Sequence, residues 1–218
     1  MTYAAHHSPQ GPGSVSIAQI VHSRERSGGP SWARVSGWEQ LSGRPRTITC
    51  LVICRNSAPL LSRLLPLLSD ALTEAGFPWE IACVDSASTD SSAALMQSWC
   101  EFPGFAWVRL AADYGAAAAV RTGLELARGD AVIVAYADAQ LSIELLPDMI
   151  AKWEAGSEIV LDRQVGNEPR HLVCWSLDCP TPADGHGDDV PADPDSSRLL
   201  LLDRRAVDAL IHDGLPAS

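Results

Sequence analysis

Residues 127 to 140 read Ala-Arg-Gly-Asp-Ala-Val-Ile-Val-Ala-Tyr-Ala-Asp-Ala-Gln, and this stretch decides the fold. Ala131 to Ala135 form an apolar run that is short enough for a strand buried on both faces. Gly129 stands where a preceding helix needs a residue with left-handed backbone to end. Asp138 and Gln140 follow the predicted strand, and in open parallel sheets ligands bind outside the carboxyl ends of the strands. The stretch therefore predicts a helix end, a central strand and a functional loop.

Other strands and helices alternate on both sides of this stretch. The further strands are predicted at 47–54, 79–84, 107–110, 158–161 and 199–202. The helices are predicted at about 60–75, 91–100, 116–128, 143–155 and 204–212, with Asp90, Ser142 and Asp203 as N-caps. Pro66 interrupts the first helix, which therefore either kinks or begins its regular part near Ser62. This alternation predicts a single α/β domain with a mostly parallel central sheet and flanking helices.

Composition divides the chain into four parts. Residues 1–46 are rich in Gly, Pro and Ser without a sustained period, which predicts a flexible N-terminal extension. Residues 47–162 form the α/β domain, and residues 198–218 add a C-terminal strand and helix to it. Between them, residues 163–197 carry many Asp, Pro and Gly, which predicts a mobile acidic loop. The Asp spacing in that loop lacks the order of a calcium loop, so a solvated segment is favoured over a cation site.

Charge and cysteine usage exclude several classes of protein. The chain has 16 basic and 27 acidic residues and a net charge of −11, which argues against nucleic acid or an anionic membrane as partner. The six cysteines show no zinc spacing, and several lie in apolar runs, which favours a reducing cytoplasm. Neither a signal peptide nor an apolar run of about 20 residues is visible, so no transmembrane segment is predicted.

Several motifs lie in the order and spacing of a known family. They are Asp113-Tyr114-Gly115 followed by Gly123, Arg128-Gly129-Asp130, and Glu144-Leu-Leu-Pro147. Over about residues 47–162 the chain resembles family 2 glycosyltransferases, especially the polyprenyl-phosphate sugar transferases. The resemblance implies a GT-A fold and the transfer of a sugar from a nucleotide-diphospho-sugar to an acceptor that the sequence does not name.

The resemblance also implies a metal site. In the family two Asp and a Gln hold a divalent metal on the diphosphate, and here the corresponding positions are Tyr136, Asp138 and Gln140. Asp138 and Gln140 are thus the implied ligands of Mg²⁺ or Mn²⁺, in a site weakened by Tyr136. The metal stabilises the negative charge that develops on the leaving diphosphate.

Two further loops are the implied nucleotide site. The family's Pro-x-Tyr-Asn-Glu loop corresponds to residues 53–57 and keeps only Asn56, with Arg55 in place of the Tyr. Its Asp-Asp-Gly-Ser-x-Asp loop corresponds to residues 85–90, where Asp85 is kept and Ser86 and Ala87 replace the second Asp and the Gly. Arg55, Asn56, Asp85 and Ser86 are therefore the candidate nucleotide-binding residues. A phosphate acceptor needs no general base, whereas a hydroxyl acceptor requires one. Asp113 or an acid of the long loop is the candidate base, although a helix-capping role is favoured for Asp113.

Two functions remain open at this point. The first is an active glycosyltransferase with altered base contacts and a weakened metal site. The second is a catalytically inactive relative that keeps the fold and acts through a protein partner, because fold does not imply function. A dinucleotide oxidoreductase is a weaker third, since no Gly-x-Gly-x-x-Gly follows the first strand.

Overall fold

The computed structural model describes residues 15–22, 46–137, 141–163, 171–175 and 197–213. Within these ranges eight strands form one sheet, with helices on both faces. The strands are β1 Ile17–His22, β2 Ile48–Cys54, β3 Trp79–Asp85, β4 Phe105–Leu110, β5 Ala131–Tyr136, β6 Ile159–Arg163, β7 His171–Trp175 and β8 Ser197–Asp203. The helices are α1 Ala58–Glu74, α2 Ser92–Trp99, α3 Ala116–Leu126, α4 Leu146–Glu154 and α5 Arg204–Asp213.

The strand order is β1-β4-β3-β2-β5-β8-β6-β7. The four central strands β4, β3, β2 and β5 are mutually parallel. β1 adds to β4 and β8 adds to β5, both antiparallel, and β8 lies between β5 and β6. The prediction of an α/β domain with a mostly parallel central sheet is therefore confirmed.

The strands of the parallel region are buried on both faces, as their continuous apolar sequences predict. All seven residues of β2 are buried. One face of the sheet packs on α1, α2 and α4, and the other on α3 and α5. Leu51 of β2 packs so closely under α3 that a Cβ at Gly123 would overlap its side chain. Gly123 thus lets α3 approach the sheet, which fixes the position of the helix that begins at the candidate site.

Gly129 has a different role from the predicted one. α3 already ends at Leu126, and Gly129 does not have the positive φ of a helix-terminating glycine. A Cβ at this position would lie 2.5 Å from the backbone N of Thr49 and 2.6 Å from the carbonyl oxygen of Ala131. The residue is glycine because the chain passes directly against β2. Gly76 and Gly156, after α1 and α4, do have the positive φ of helix-terminating glycines, 77° and 104°.

The helix ends follow the sequence in part. α1 runs continuously from Ala58 to Glu74 through Pro66, so its regular part does not begin near Ser62. Asp203 accepts a hydrogen bond from the backbone N–H of Arg205 at 3.0 Å, so the predicted N-cap of α5 is confirmed. The predicted cap at Ser142 is wrong, because its side chain makes no capping hydrogen bond and a 3₁₀ turn at Ile143–Leu145 precedes α4.

Two strands lie in segments that were not predicted to be regular. β1 falls within the predicted N-terminal extension and pairs with β4 from Ile17 to His22. β7 falls within the predicted acidic loop and pairs with β6. Residues 1–14, 23–45, 164–170 and 176–196, which make up the rest of these two segments, lie outside the described residues. None of the helices in the described part of the chain is long and apolar enough to cross a bilayer.

Candidate nucleotide-sugar site

The candidate site lies at the carboxyl ends of the parallel strands. In the pairing of β2 with β3, Cys54 is opposite Asp85, so the loops that follow these strands start side by side. In the pairing of β2 with β5, Ile53 is opposite Tyr136. The backbone N–H of Ala137 then donates to the carbonyl oxygen of Ile53 at 2.9 Å. The three strand ends therefore lie next to one another, which confirms the predicted arrangement of these strands.

Asn56 joins the first two loops. Its backbone N–H donates to the hydroxyl of Ser88 at 2.8 Å, and its side-chain oxygen accepts from the backbone N–H of Thr89 at 2.8 Å. Asn56 has a φ of 48°, a left-handed conformation that Asn tolerates better than most residues. The side chain of Asn56 thus holds the loop after β3. Asn56 therefore has a structural role in the turn, whether or not it also contacts a ligand.

Asp85 and Ser86 are not exposed to a ligand in this conformation. Asp85 is 0% exposed and Ser86 is 5% exposed. Oδ1 of Asp85 accepts a hydrogen bond from the backbone N–H of Ser88 at 3.0 Å, and Oδ2 lies 3.7 Å from Nε of Arg109. Of the predicted nucleotide-binding residues, Asp85 and Ser86 therefore lie under the loop, whereas the side chains of Arg55 and Asn56 are exposed.

The loop after β3 contains a left-handed alanine. Ala87 has a φ of 54°, and its N–H donates to the carbonyl oxygen of Asp85 at 2.9 Å. A non-glycine residue in this region is strained by the approach of its Cβ to the following carbonyl. Ala87 stands where the family that the chain resembles has glycine, a residue that adopts this left-handed backbone without the same strain.

Asp90 ties the starts of α1 and α2 together. Its Oδ2 accepts from the backbone N–H of Ala58 at 3.1 Å, and its Oδ1 accepts from the backbone N–H of Ser92 at 3.0 Å. Slight burial acts to raise the pKa of this carboxyl group, but the hydrogen bonds from Ser92 and Ala58 outweigh it and lower the pKa. The charged form of Asp90 thus stabilises the ends of two helices beside the site.

Arg55 and Asp113 meet across the site. Nη1 of Arg55 lies 2.5 Å from Oδ2 of Asp113, and the side chains are 57% and 35% exposed. Oδ1 of Asp113 accepts from the backbone N–H of Gly115 at 3.0 Å. Both carboxylate oxygens of the predicted catalytic residue are thus already engaged. In this conformation Asp113 shapes the turn before α3 and pairs with a cation.

The first turn of α3 is open to solvent. Gly115 has a φ of 85° and precedes the helix without a side-chain cap, and residues 116 and 117 are exposed. Uncapped N–H groups at a helix N-terminus carry partial positive charge and favour an anion. This helix start, next to the Arg55–Asp113 pair, is therefore a place where an anion can be held at the edge of the sheet.

The metal-site positions are only partly described. Tyr136 ends β5, is half-buried and packs against the apolar cluster on the α3 and α5 face of the sheet. The predicted ligands Asp138 and Gln140 lie outside the described residues. Within the described ranges, no three His, Cys, Asp or Glu side chains are grouped so that they could hold a metal ion. The half-buried phenol of Tyr136 therefore stands where the family that the chain resembles has a carboxylate.

Cys54 is the thiol nearest to this edge. Burial, followed by the carboxylates of Asp85 and Asp90, raises the pKa of its thiol far above the usual range. Its Sγ lies 3.5 Å from the carbonyl oxygen of Val84 and 3.9 Å from Sδ of Met96. A buried protonated thiol is a packing group and not a nucleophile.

Sequence reasoning missed two residues that organise the site. Ser88 is 1% exposed and gives its N–H, its hydroxyl and its carbonyl oxygen to three different partners. Arg109 donates to that carbonyl oxygen at 2.6 Å. A signal for Arg109 was available, because it is the one charged residue in the strand Phe-Ala-Trp-Val-Arg-Leu.

A family model described as Glycosyl transferase family 2 matches residues 49–178, which is more than half of this 218-residue chain. The chain belongs to glycosyl transferase family 2. The matched range runs from the second residue of β2 past β5 and contains all of the loops described above. The resemblance inferred from the motifs is therefore confirmed.

Individual relatives cover part of this family 2 chain. An undecaprenyl-phosphate 4-deoxy-4-formamido-L-arabinose transferase of Pseudomonas aeruginosa is 35% identical over 115 residues, which are 52% of this chain and 34% of the relative. An uncharacterized glycosyltransferase of Synechocystis sp. is 26% identical over 157 residues, which are 71% of this chain and 49% of the relative. The chain thus spans about a third to a half of the length of these relatives.

Solved structures are similar over a comparable range. A mannosyltransferase from Pyrobaculum calidifontis, in complex with GDP-Man and Mn²⁺, is 30% identical with a TM-score of 0.45 and covers 58% of this chain and 37% of the other. Staphylococcus aureus TarS (residues 1–349), in complex with UDP-GlcNAc, is 22% identical with a TM-score of 0.45 and covers 56% of this chain and 36% of the other.

Proposed function

We propose that this chain binds a nucleotide-diphospho-sugar at the carboxyl ends of β2, β3 and β5 and transfers the sugar to an acceptor. One observation carries the proposal. Arg55 and Asp113 come from loops that follow different strands, yet they meet at 2.5 Å beside the uncapped start of α3. The loops of a family 2 chain thus converge on an exposed cation at the edge where open α/β sheets bind their ligands.

The chemistry of these groups suits a diphosphate. The guanidinium of Arg55 presents several N–H donors to phosphate oxygens, and it is already held at the edge by Asp113. The N–H groups of the first turn of α3 offer a second attachment point for an anion. On binding, phosphate oxygens would take the place of Asp113 as partners of Arg55, and Asp113 would then become available to a hydroxyl acceptor as a base.

A divalent cation fits the remaining positions with fewer ligands than usual. Asp138 and Gln140 would hold Mg²⁺ or Mn²⁺. Tyr136 would add no carboxylate, because its side chain is a phenol, and this phenol packs against the apolar cluster. The cation would stabilise the charge on the leaving nucleoside diphosphate. Tyr136 therefore supports a site with lowered metal affinity, in which Arg55 carries part of the charge compensation.

A second candidate function is a catalytically inactive relative that works through a protein partner. Tyr136 favours it, since its half-buried side chain packs against the apolar cluster on the α3 side. The engagement of both oxygens of Asp113 also favours it. Under this alternative, a carboxylate at residue 136 would stand unpaired against apolar side chains and lower the stability.

Calorimetric titration of two variants separates the candidates. UDP- and GDP-linked sugars are titrated into the parent chain, Tyr136→Asp and Asp138→Asn, with Mn²⁺ and with EDTA. In an active site, Tyr136→Asp tightens Mn²⁺-dependent binding by about 1–2 kcal/mol, a factor of about 5–30. Asp138→Asn weakens the same binding, because it removes a charged ligand.

The matched control is Asp70→Asn, an equal change of charge at an exposed position in α1. It should leave the affinity unchanged, since it is far along the chain from the strand ends and a surface charge is screened by salt. If no variant binds any nucleotide sugar and Tyr136→Asp only lowers the melting temperature, the transferase proposal fails and the scaffold function takes its place.

A further inference from the structure

Arg109 is a charged residue in an otherwise apolar strand. It lies in β4, opposite Asp85 of β3 on one side and Gln19 of β1 on the other. Strand alternation places its side chain on the same face as Phe105 and Trp107, which pack in the core under α1 and α2. Its side chain is 34% exposed. A guanidinium placed between core residues needs partners, and they identify its role.

The partners of Arg109 both belong to the segment that begins with Asp85. Nη2 donates to the carbonyl oxygen of Ser88 at 2.6 Å, and Nε lies 3.7 Å from Oδ2 of Asp85. Asp85 is fully buried, and among the described residues its Oδ2 has no hydrogen-bond partner. A buried carboxylate is tolerated only beside a compensating charge. Arg109 supplies that charge and at the same time fixes a backbone carbonyl of the loop.

Ser88 is consequently held from three directions. Arg109 binds its carbonyl oxygen, Asp85 accepts its N–H, and its hydroxyl accepts from the N–H of Asn56. The next residue, Thr89, donates its N–H to the side chain of Asn56. The chain of contacts runs from Arg109 through residues 88 and 89 to Asn56, which is adjacent to Arg55. A strained turn at Ala87 precedes it, and such a turn persists only when its surroundings hold it.

We propose that Arg109 is a positioning residue of the nucleotide site. It holds the loop of residues 86–90, and through it Asn56 and Arg55, in the geometry that receives the nucleotide, without contacting the ligand. The inference rests on the proposed function, since it names a determinant of nucleotide affinity. It also separates two roles for the positive charge. Any cation can neutralise Asp85. Holding the carbonyl of Ser88 at the same time requires a side chain with several N–H donors in a fixed plane.

The test uses Arg109→Met and Arg109→Lys in the full chain. Nucleotide affinity is measured by titration with UDP- and GDP-linked sugars in Mn²⁺, and hydrogen exchange is measured at the amides of Ser88 and Thr89. Arg109→Met should weaken binding at least tenfold and speed exchange at these two amides at least tenfold. Arg109→Lys should give intermediate values of both, because it restores the charge but not the paired donors.

Two controls distinguish positioning from support of the fold. Arg121→Met removes an exposed arginine whose partner, Glu125, lies one helical turn away, and it should change neither quantity. Gly129→Ala lowers stability from the opposite end of β2 and should leave the nucleotide affinity unchanged.

Three results would overturn the inference. The first is a parent chain that binds nucleotide while Arg109→Met binds it equally well. The second is faster exchange spread evenly over the sheet in place of residues 88 and 89, which would make Arg109 a support of the fold. The third is a parent chain that binds no nucleotide sugar, which overturns the proposed function and this inference together. In the first two cases the proposed function stands.

Discussion

Replacing Ala87 by glycine should stabilise the protein, although glycine usually does the reverse. The φ of 54° at Ala87 places it in the left-handed region, where a Cβ costs about 1–2 kcal/mol. Glycine removes this strain but adds about 0.5–1 kcal/mol of conformational entropy to the unfolded chain. Loss of the half-buried methyl group of Ala87 lowers the stability by about a few tenths of a kcal/mol more, as its small buried area implies. The net effect of Ala87→Gly is then a gain of about 0.5 kcal/mol.

The matched control is the same substitution in a helix. Ala151 is exposed inside α4, where Ala→Gly loses about 1 kcal/mol. The two variants therefore should differ by about 1.5 kcal/mol with opposite signs relative to the parent. Urea denaturation followed by circular dichroism measures both, and an unchanged slope with denaturant shows that the unfolded states are comparable. For a chain of this size, the melting temperatures should differ by about 3–6 °C.

The reasoning is refuted if Ala87→Gly destabilises as much as Ala151→Gly. That result would mean that residue 87 does not have a left-handed backbone in solution, or that its methyl group makes contacts worth more than the strain. A gain in stability without a change in nucleotide affinity would show that the strain at residue 87 affects folding and not nucleotide binding. A gain accompanied by weaker binding would show that the alanine also restricts the loop for the ligand.

Two further predictions concern stability. Gly129→Ala should destabilise the protein by about 1–3 kcal/mol, because the new Cβ meets backbone atoms of Thr49 and Ala131 that cannot rotate away. Gly76→Ala should destabilise it by only about 1 kcal/mol, because residue 76 has open space around it and only its φ of 77° is unfavourable. Urea denaturation of both variants measures the difference. Because the folded pKa of Asp90 is lowered, its contribution to stability is present above the unfolded value of about 3.9 and is lost as the pH falls through the folded pKa. Asp90→Asn should therefore flatten the dependence of the unfolding free energy on pH below about 4, and a parallel acid titration of both proteins that gave identical slopes would contradict this.

The central strands could be predicted because their amino-acid composition indicates that they are buried. β2 and β5 are continuous apolar runs, which is the pattern of a strand covered on both faces. β1 and β7 are edge strands within segments of irregular composition, and their existence depends on a partner strand far away in sequence. No local pattern encodes the pairing of residue 17 with residue 110, so the sequence could not indicate it.

The location of the candidate site was predictable for a topological reason. Parallel strands bring their carboxyl ends to one edge, so Asn56, Asp85 and Tyr136 had to be near one another once the strands were assigned. Which of these residues is exposed was not predictable. Asp85 is buried because Arg109 reaches it from β4 and the loop folds over it, and both depend on tertiary packing. The same limit explains why Gly129 was interpreted as a helix end, since only the packed structure brings Thr49 against it.

The place of β8 in the sheet has a consequence for how the chain folds during synthesis. The strands β2 to β5 are made in one continuous stretch of chain, from Ile48 to Tyr136, and can pair as they emerge. β6 and β7 pair with each other, but their connection to the rest of the sheet runs through β8, which is made only when residues 197–203 leave the ribosome. Until then the outer edge of β5 is an unpaired strand edge, and such edges invite association with other chains. The pairing of β8 is therefore a late and long-range step. Such steps slow folding, because the entropy of closing the loop is lost before the strand contacts form. A nascent chain that stalls shortly before residue 197 would expose the β5 edge that the finished protein covers.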